Sequence, residues 1–342
     1  MTATKLATRP QTSRRLMSLV IRLLLAAGLI GLISLKFDMR LATEQILHAG
    51  LAACLFGVAG YLGQTLILAW RWHRILIASG IRVRFRATLR IVYSGIFFNQ
   101  CLPTSLGGDA VRVIMLRAAG SSVKAAANAV LVDRLSGVAA LMLFLLVSLV
   151  QIAIWAPGSP FLIGAALVTA LLGAGLAAYF LGDWIIALVR PLARIGIVRV
   201  VAEASAYARF ITWRAPSAPV TGLIAIGVHL STVGIVYGLA TFLNAPISVW
   251  QALILVPPIM AAALMPISFG GWGTREVAMV GGLGLAGVPP PTAVAISVLF
   301  GLLVLFAALP GGLVWLVSRG PARMSWMWTR GTTQAVDRQN NP

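Results

Sequence analysis

Along this chain the apolar positions come in long unbroken runs, without the alternation of strands, and the polar positions gather in short segments rich in arginine. Six runs, near 17–35, 46–70, 130–155, 161–181, 220–243 and 292–317, are each long enough to cross a bilayer core of about 30 Å as a helix. Two further stretches break in the middle. From residue 91 the chain is apolar until Asn99, Pro103 and Gly107-Gly108 interrupt it, and from residue 250 until Pro266 and Gly270-Gly271 do so. A half-run of that kind rises only about 18 Å, so each predicts a re-entrant broken hairpin, near 91–120 and 250–287. The predicted fold is an all-α integral membrane protein, a polytopic helical bundle of about six full spans plus two re-entrant hairpins.

The two interruptions are near copies. Both read P-x-S-x-G-G-x-x-x-R: Pro103, Ser105, Gly107, Gly108 and Arg112 return as Pro266, Ser268, Gly270, Gly271 and Arg275, all at an offset of 163. The order span, span, broken hairpin, span occurs twice, and three crossings separate the copies, so the second unit is expected to be inverted. This divides the chain into a basic N-terminus (1–16), repeat 1 (17–155), repeat 2 (156–317) and a C-terminal tail (318–342).

Composition agrees with a membrane protein: hydrophobic residues are 59% and charged residues 10%, against about 25% charged in soluble domains, and mean hydropathy is +0.94. A net charge of +19 would suggest nucleic acid in a soluble protein; here it reads as topology, and no nucleic-acid partner is expected. Of the 27 Lys and Arg, four precede residue 16, six lie in 71–90, three in 112–124, five in 190–214 and four after 318. All of these are assigned to the cytoplasm, which puts both termini there. Arg14-Arg15 before the first apolar run resembles a signal peptide, but no small-x-small cleavage site follows, so the run is read as an uncleaved span. Residues 182–218 read either as an interfacial segment against anionic lipid or as a solvated basic loop. Cys54, Cys101, His48, His73 and His229 have no metal-ligand spacing, so no metal or other cofactor is expected.

Proline ends a helix and a glycine pair opens backbone conformations closed to other residues. Each break would therefore free several N–H groups at mid-membrane, a setting that binds anions. Arg112 and Arg275, about one turn further on, would add a guanidinium suited to phosphate. A plainer account has the Pro-Gly elements kink two helices while the arginines snorkel to an interface. Two copies in inverted positions favour the substrate site. Intramembrane ionisable residues join the candidates: Asp109, Asp133, Arg134 and Glu276, with a local Asp133–Arg134 ion pair as the alternative for those two. The 163-residue shift sets Trp272 opposite Asp109 and Val113 opposite Glu276, so the half-sites differ chemically.

At Asn99, Leu102-Pro103-Thr104, Gly107-Gly108-Asp109 and Arg112, at Asp133-Arg134-Leu135-Ser136-Gly137, and at Pro266-Ile267-Ser268, Gly270-Gly271-Trp272-Gly273 and Arg275-Glu276, the chain resembles the lysylphosphatidylglycerol synthase transmembrane (flippase-like) family. That family includes the membrane half of the multiple peptide resistance factor. The resemblance covers nearly the whole chain and implies a multi-pass protein of the bacterial inner membrane that moves a lipid between leaflets. It adds Asn99, Thr104 and Trp272 to the substrate-binding candidates. The sequence ends at Pro342, before the aminoacyl-transferase domain of two-domain members, so lysyl transfer is not expected of it. The expected function is a non-enzymatic lipid translocase for an anionic or phosphate-bearing lipid. The expected partners are membrane lipids and an enzyme that supplies the lipid. The rival readings are a membrane-embedded lipid-modifying enzyme, with Asp109, Asp133 or Glu276 as base, and an accessory subunit of a lipid pathway. No P-loop is present, so an ion gradient, a partner or the lipid's own gradient would drive movement.

Overall fold

The computed structural model describes residues 31, 39–101, 107–182, 184, 196–265 and 269–317. The predicted first span at 17–35, apart from residue 31, both tails, and Pro103, Thr104, Ser105, Pro266 and Ser268 lie outside those residues. Among the described residues the chain is helical and contains no strand: α1 Met39–Ala78, α2 Phe85–Cys101, α3 Gly107–Ala118, α4 Val123–Trp155, α5 Pro160–Phe180, α6 Gly196–Arg209, α7 Ala218–Phe242, α8 Val249–Ala263, α9 Thr274–Gly284 and α10 Pro290–Val317. Five of these, α1, α4, α5, α7 and α10, are long and apolar enough to cross a membrane. They overlie the five predicted spans that fall among the described residues.

The short polar segments set where helices begin. Ser122 caps α4 by accepting from Ala125 N at 3.1 Å, and Ser159 caps α5 by accepting from Leu162 N at 3.2 Å, with Pro160 at the first position. Ser248 and Gln251 cap α8 reciprocally. Within α1, Gly50 (φ 69°) breaks the helical path, so α1 is two helices joined at a kink.

Helix α10 is the axis of the bundle and packs on α1, α2, α7 and α9. Small residues let the backbones approach: Gly311 sits against the Tyr93 carbonyl of α2 and Gly238 against the Phe56 ring. Helices α2 and α3 pack as one hairpin, α8 and α9 as another. Adding 163 to the limits of α2, α3 and α4 gives 248–264, 270–281 and 286–318, against the observed Val249–Ala263, Thr274–Gly284 and Pro290–Val317.

Among the described residues of the 182–218 segment, α6 is followed by one π-helical turn, Phe210–Arg214. It is tied to the ends of α4 and α5: the Tyr179 hydroxyl donates to Ala204 O at 2.9 Å, Arg209 Nη1 to Phe180 O at 2.7 Å, and Lys124 pairs with Glu203 at 2.6 Å.

Candidate functional site

Helix α3 opens on Gly107 and Gly108 beyond the first break. Gly108 N donates to Asn99 Oδ1 at 2.9 Å, so α2 takes one of the N–H groups expected to be free. A Cβ at Gly108 would run into the Gly95 carbonyl, and only glycine lets the two arms meet this closely. That approach carries Asp109 and Arg112 against α1 and α4. Arg112 Nη2 donates to Asp133 Oδ2 at 2.8 Å, and Nη1 to Asp109 Oδ1 at 3.4 Å. Its guanidinium lies 3.9 Å from the Trp72 ring centroid. Arg71 Nε donates to Asp133 Oδ1 at 3.0 Å and Arg71 Nη2 to the Asp133 carbonyl at 3.2 Å. Arg134 Nε donates to Asp109 Oδ2 at 2.7 Å.

These are three arginines against two aspartates, and Arg71, Asp109, Arg112 and Asp133 are all buried. The alternative of a local Asp133–Arg134 pair is not what forms. Consecutive residues on a helix point in different directions, so Asp133 faces Arg71 and Arg112 while Arg134 reaches Asp109.

The second break differs. A 3₁₀ turn, Phe269–Gly271, leads through Gly273 into α9, with Gly270, Gly271 and Gly273 at φ 58°, 80° and 86°, left-handed values that favour glycine. Glu276 turns back and accepts from Gly273 N, so here too an N–H at the break is taken up internally. Its Oε1 accepts from Arg275 Nη2 at 2.9 Å, from Arg275 Nε at 3.2 Å and from the Ser297 hydroxyl of α10 at 2.7 Å. Arg275 Nε also donates to Ser297 Oγ at 3.0 Å, and the guanidinium lies 4.7 Å from the Trp272 ring centroid. Gly301 leaves the room: a Cβ there would collide with Arg275 Nη2. Each hairpin thus carries a buried arginine against a tryptophan and a carboxylate, drawn from non-equivalent positions.

A cavity of about 360 Å³ lies between α1, α2, α4, α7, α8, α9 and α10. Tyr61, Gln64, Thr65, Gln100, His229, Thr232 and Arg275 supply its polar wall; Ile96, Leu141, Met260, Phe300 and Val304 are among its apolar residues. Gln64 donates to Val228 O at 2.9 Å and to the Thr232 hydroxyl. His229 Nε2 bonds to Gly137 O at 2.9 Å; because a carbonyl only accepts, that nitrogen carries the proton. The Tyr61 hydroxyl, the Gln100 amide and Arg275 Nη1 have no hydrogen-bond partner among the described residues.

Residues 19–311 match the family described as the lysylphosphatidylglycerol synthase TM region. The chain belongs to this family. No curated protein matches it. Membership of the lysylphosphatidylglycerol synthase TM family, with five long apolar helices among the described residues, makes the chain a multi-pass membrane protein of lipid-related function.

Of the residues singled out in this family member, Asn99, Gly107, Gly108, Asp109, Arg112, Asp133 and Arg134 come together at the first hairpin, and Gly270, Gly271, Trp272, Arg275 and Glu276 at the second. The cavity takes only Gly270 and Arg275 from that set; Arg112 is engaged with its aspartates and is not on the wall. Sequence reasoning missed Arg71 and Trp72, which it placed in a cytoplasmic loop because the apolar run stops at Trp70. The helix runs on to Ala78 and carries both inward. It also missed Ser297 and the polar wall. A signal was available there: Tyr61, Gln64 and Thr65 stand at i, i+3, i+4 within an apolar run, and His229 and Thr232 at i, i+3.

Proposed function

We propose that this chain is a flippase-like lipid translocase that moves an anionic or phosphate-bearing lipid between the leaflets of the bacterial inner membrane, with no chemical step on the lipid. One observation carries the reading: among the described residues of the cavity wall, Arg275 is the one formally charged side chain, and its Nη1 edge is uncommitted. A phosphate in the cavity would take that edge by a charge-assisted hydrogen bond. The helix limits, which recur at an offset of 163 to within about four residues, support an internal repeat, and the arginine distribution supports its inversion, with two re-entrant hairpins and both termini cytoplasmic. In this reading Arg112 reaches a phosphate when the first hairpin moves and exchanges Asp133 for the lipid, so the two arginines serve opposite-facing states. Asp109, Asp133 and Glu276 are each committed to an arginine, a structural use of all three carboxylates that supports a transporter over a lipid-modifying enzyme.

The test is movement of fluorescent phosphatidylglycerol across proteoliposome bilayers. Arg275→Ala and Arg112→Ala should each slow it, through loss of an interaction of about 1.5–3 kcal/mol, and lysine should restore only part of the rate. Wild-type rates in both alanine variants would overturn the proposal.

A further inference from the structure

Among the described residues of the cavity wall, His229 is the one side chain of the type that changes charge between about pH 5 and 8. Its Nε2–H is committed to Gly137 O, and Nδ1 has no partner among the described residues, so the Nδ1 lone pair is where a proton adds. One proton taken from water leaves Nε2–H in place and turns the neutral ring into a cation.

Contacts lead from this ring to the first hairpin. Gly137, which accepts from His229, is also the residue on which Arg71 rests: a Cβ there would lie 3.3 Å from Arg71 Nη1 and 3.5 Å from Nη2. Arg71 holds Asp133, one helical turn from Gly137 along α4, and Asp133 holds Arg112 of α3. Gln64 of α1 fastens α7 on both sides of His229, at Val228 O and at the Thr232 hydroxyl, so the ring keeps its place against α1 and α4.

The surrounding charges decide what an added proton does. Helix α7 has no other charged residue and packs on α1, α4, α8, α10 and the π turn. Helix α1 brings Tyr61 and Arg71, its His73 being turned to Thr88. Helix α4 brings Asp133 and Arg134, the π turn has Arg214 in its sequence, and α8 and α10 have no charged residue. Arg275 of α9, paired with Glu276, stands elsewhere on the wall. Asp133 already serves Arg71 and Arg112, and Asp109 serves Arg112 and Arg134, three guanidinium groups on two carboxylates. An imidazolium at His229 therefore joins a cluster with one positive charge in excess and finds no uncommitted carboxylate there. Arg71 is wedged on Gly137 and also holds the Asp133 carbonyl, whereas Arg112 rides on a 12-residue helix that begins at a break, so Arg112 is the cation that can leave.

We propose that His229 is a proton site that unlocks the first hairpin: with the ring neutral Arg112 stays on Asp133, and with the ring protonated Arg112 is released and α3 comes free of α4. The inference rests on the translocase reading for the motion of that hairpin and supplies its trigger. The hairpin is held at high pH and freed as the pH falls through the titration of His229.

Amide hydrogen exchange of the purified full-length chain in detergent, read by mass spectrometry over α3 and over α9, tests this. Wild type is compared at each pH with His229→Gln, which keeps an amide donor for Gly137 O, so the intrinsic pH dependence of exchange cancels. At about pH 5.5 the α3 amides of wild type should exchange about three- to tenfold faster than those of the variant, and at about pH 8 the two should agree. Exchange in α9 should not differ at either pH. A chain with His48→Gln and His73→Gln, in which His229 is the sole histidine, should respond like wild type. Equal α3 rates in wild type and His229→Gln at low pH overturn the proposal, because titration of Asp109 or Asp133 would loosen both alike. Acceleration that spreads equally to α9 overturns it as well, and so does a response that disappears with His48 and His73, an outcome that needs no variant at His229. A response of this kind in a chain that moves no lipid at any pH refutes the translocase reading and leaves the proton site standing.

Discussion

Asp133 is the residue on which the first hairpin depends. One carboxylate, almost wholly buried, receives Arg71 from α1 and Arg112 from α3, so three helices meet on it. Removing its charge leaves two buried guanidinium groups without a full counter-charge, and the desolvation they have already undergone is no longer offset. Asp133→Asn is expected to cost about 3–5 kcal/mol, read as a lowered melting temperature in detergent. Asp109→Asn should cost less, because its other partner, Arg134, has a side chain 39% exposed and is screened. Changing Arg71 and Asp133 together to leucine should recover part of the loss. An Asp133→Asn variant as stable as wild type would mean that the network contributes nothing to stability.

At the scale of elements, the hairpins are held by close backbone approach as much as by charge. Pro310-Gly311-Gly312 in α10 faces α2, where the Tyr93 hydroxyl also donates to Ala307 O at 3.0 Å. A methyl group at Gly311 would meet the Tyr93 carbonyl, which belongs to a helix backbone and cannot swing aside. At Gly312 it would meet the Phe97 ring, with nearest atoms at 2.8–3.0 Å, and a ring can turn. Gly311→Ala should therefore destabilise by about 1–3 kcal/mol and Gly312→Ala by less, judged from thermal melts. Equal effects would rule out the backbone contact as the cause. The sequence marked both hairpins by their Pro and Gly residues, but the glycines that matter most for packing here stand inside an apolar run that reads as an ordinary span.

For the whole molecule, the arginine distribution predicts orientation. With Cys54 and Cys101 replaced, single cysteines at positions 84 and 199 should react with a membrane-impermeant maleimide only after the inner face is opened. Strong labelling from outside at either position would rule out the proposed orientation and, with it, the inverted repeat. The spans that fall among the described residues and the two breaks were legible in the sequence, because a bilayer leaves backbone N–H and C=O groups no partner but their own helix. Helix existence and length then follow from how far an apolar run extends. Capping serines marked where α4, α5 and α8 begin for the same local reason. Partner choice was not local. Whether Arg71 lies in a loop or on Asp133, whether Asp133 pairs with its neighbour or with α1 and α3, and which of two arginines in matching motifs reaches the cavity all depend on which helix faces meet. A buried charge goes to whichever counter-charge the packing brings within about 3 Å, and 62 residues of chain separate Arg71 from the one it found.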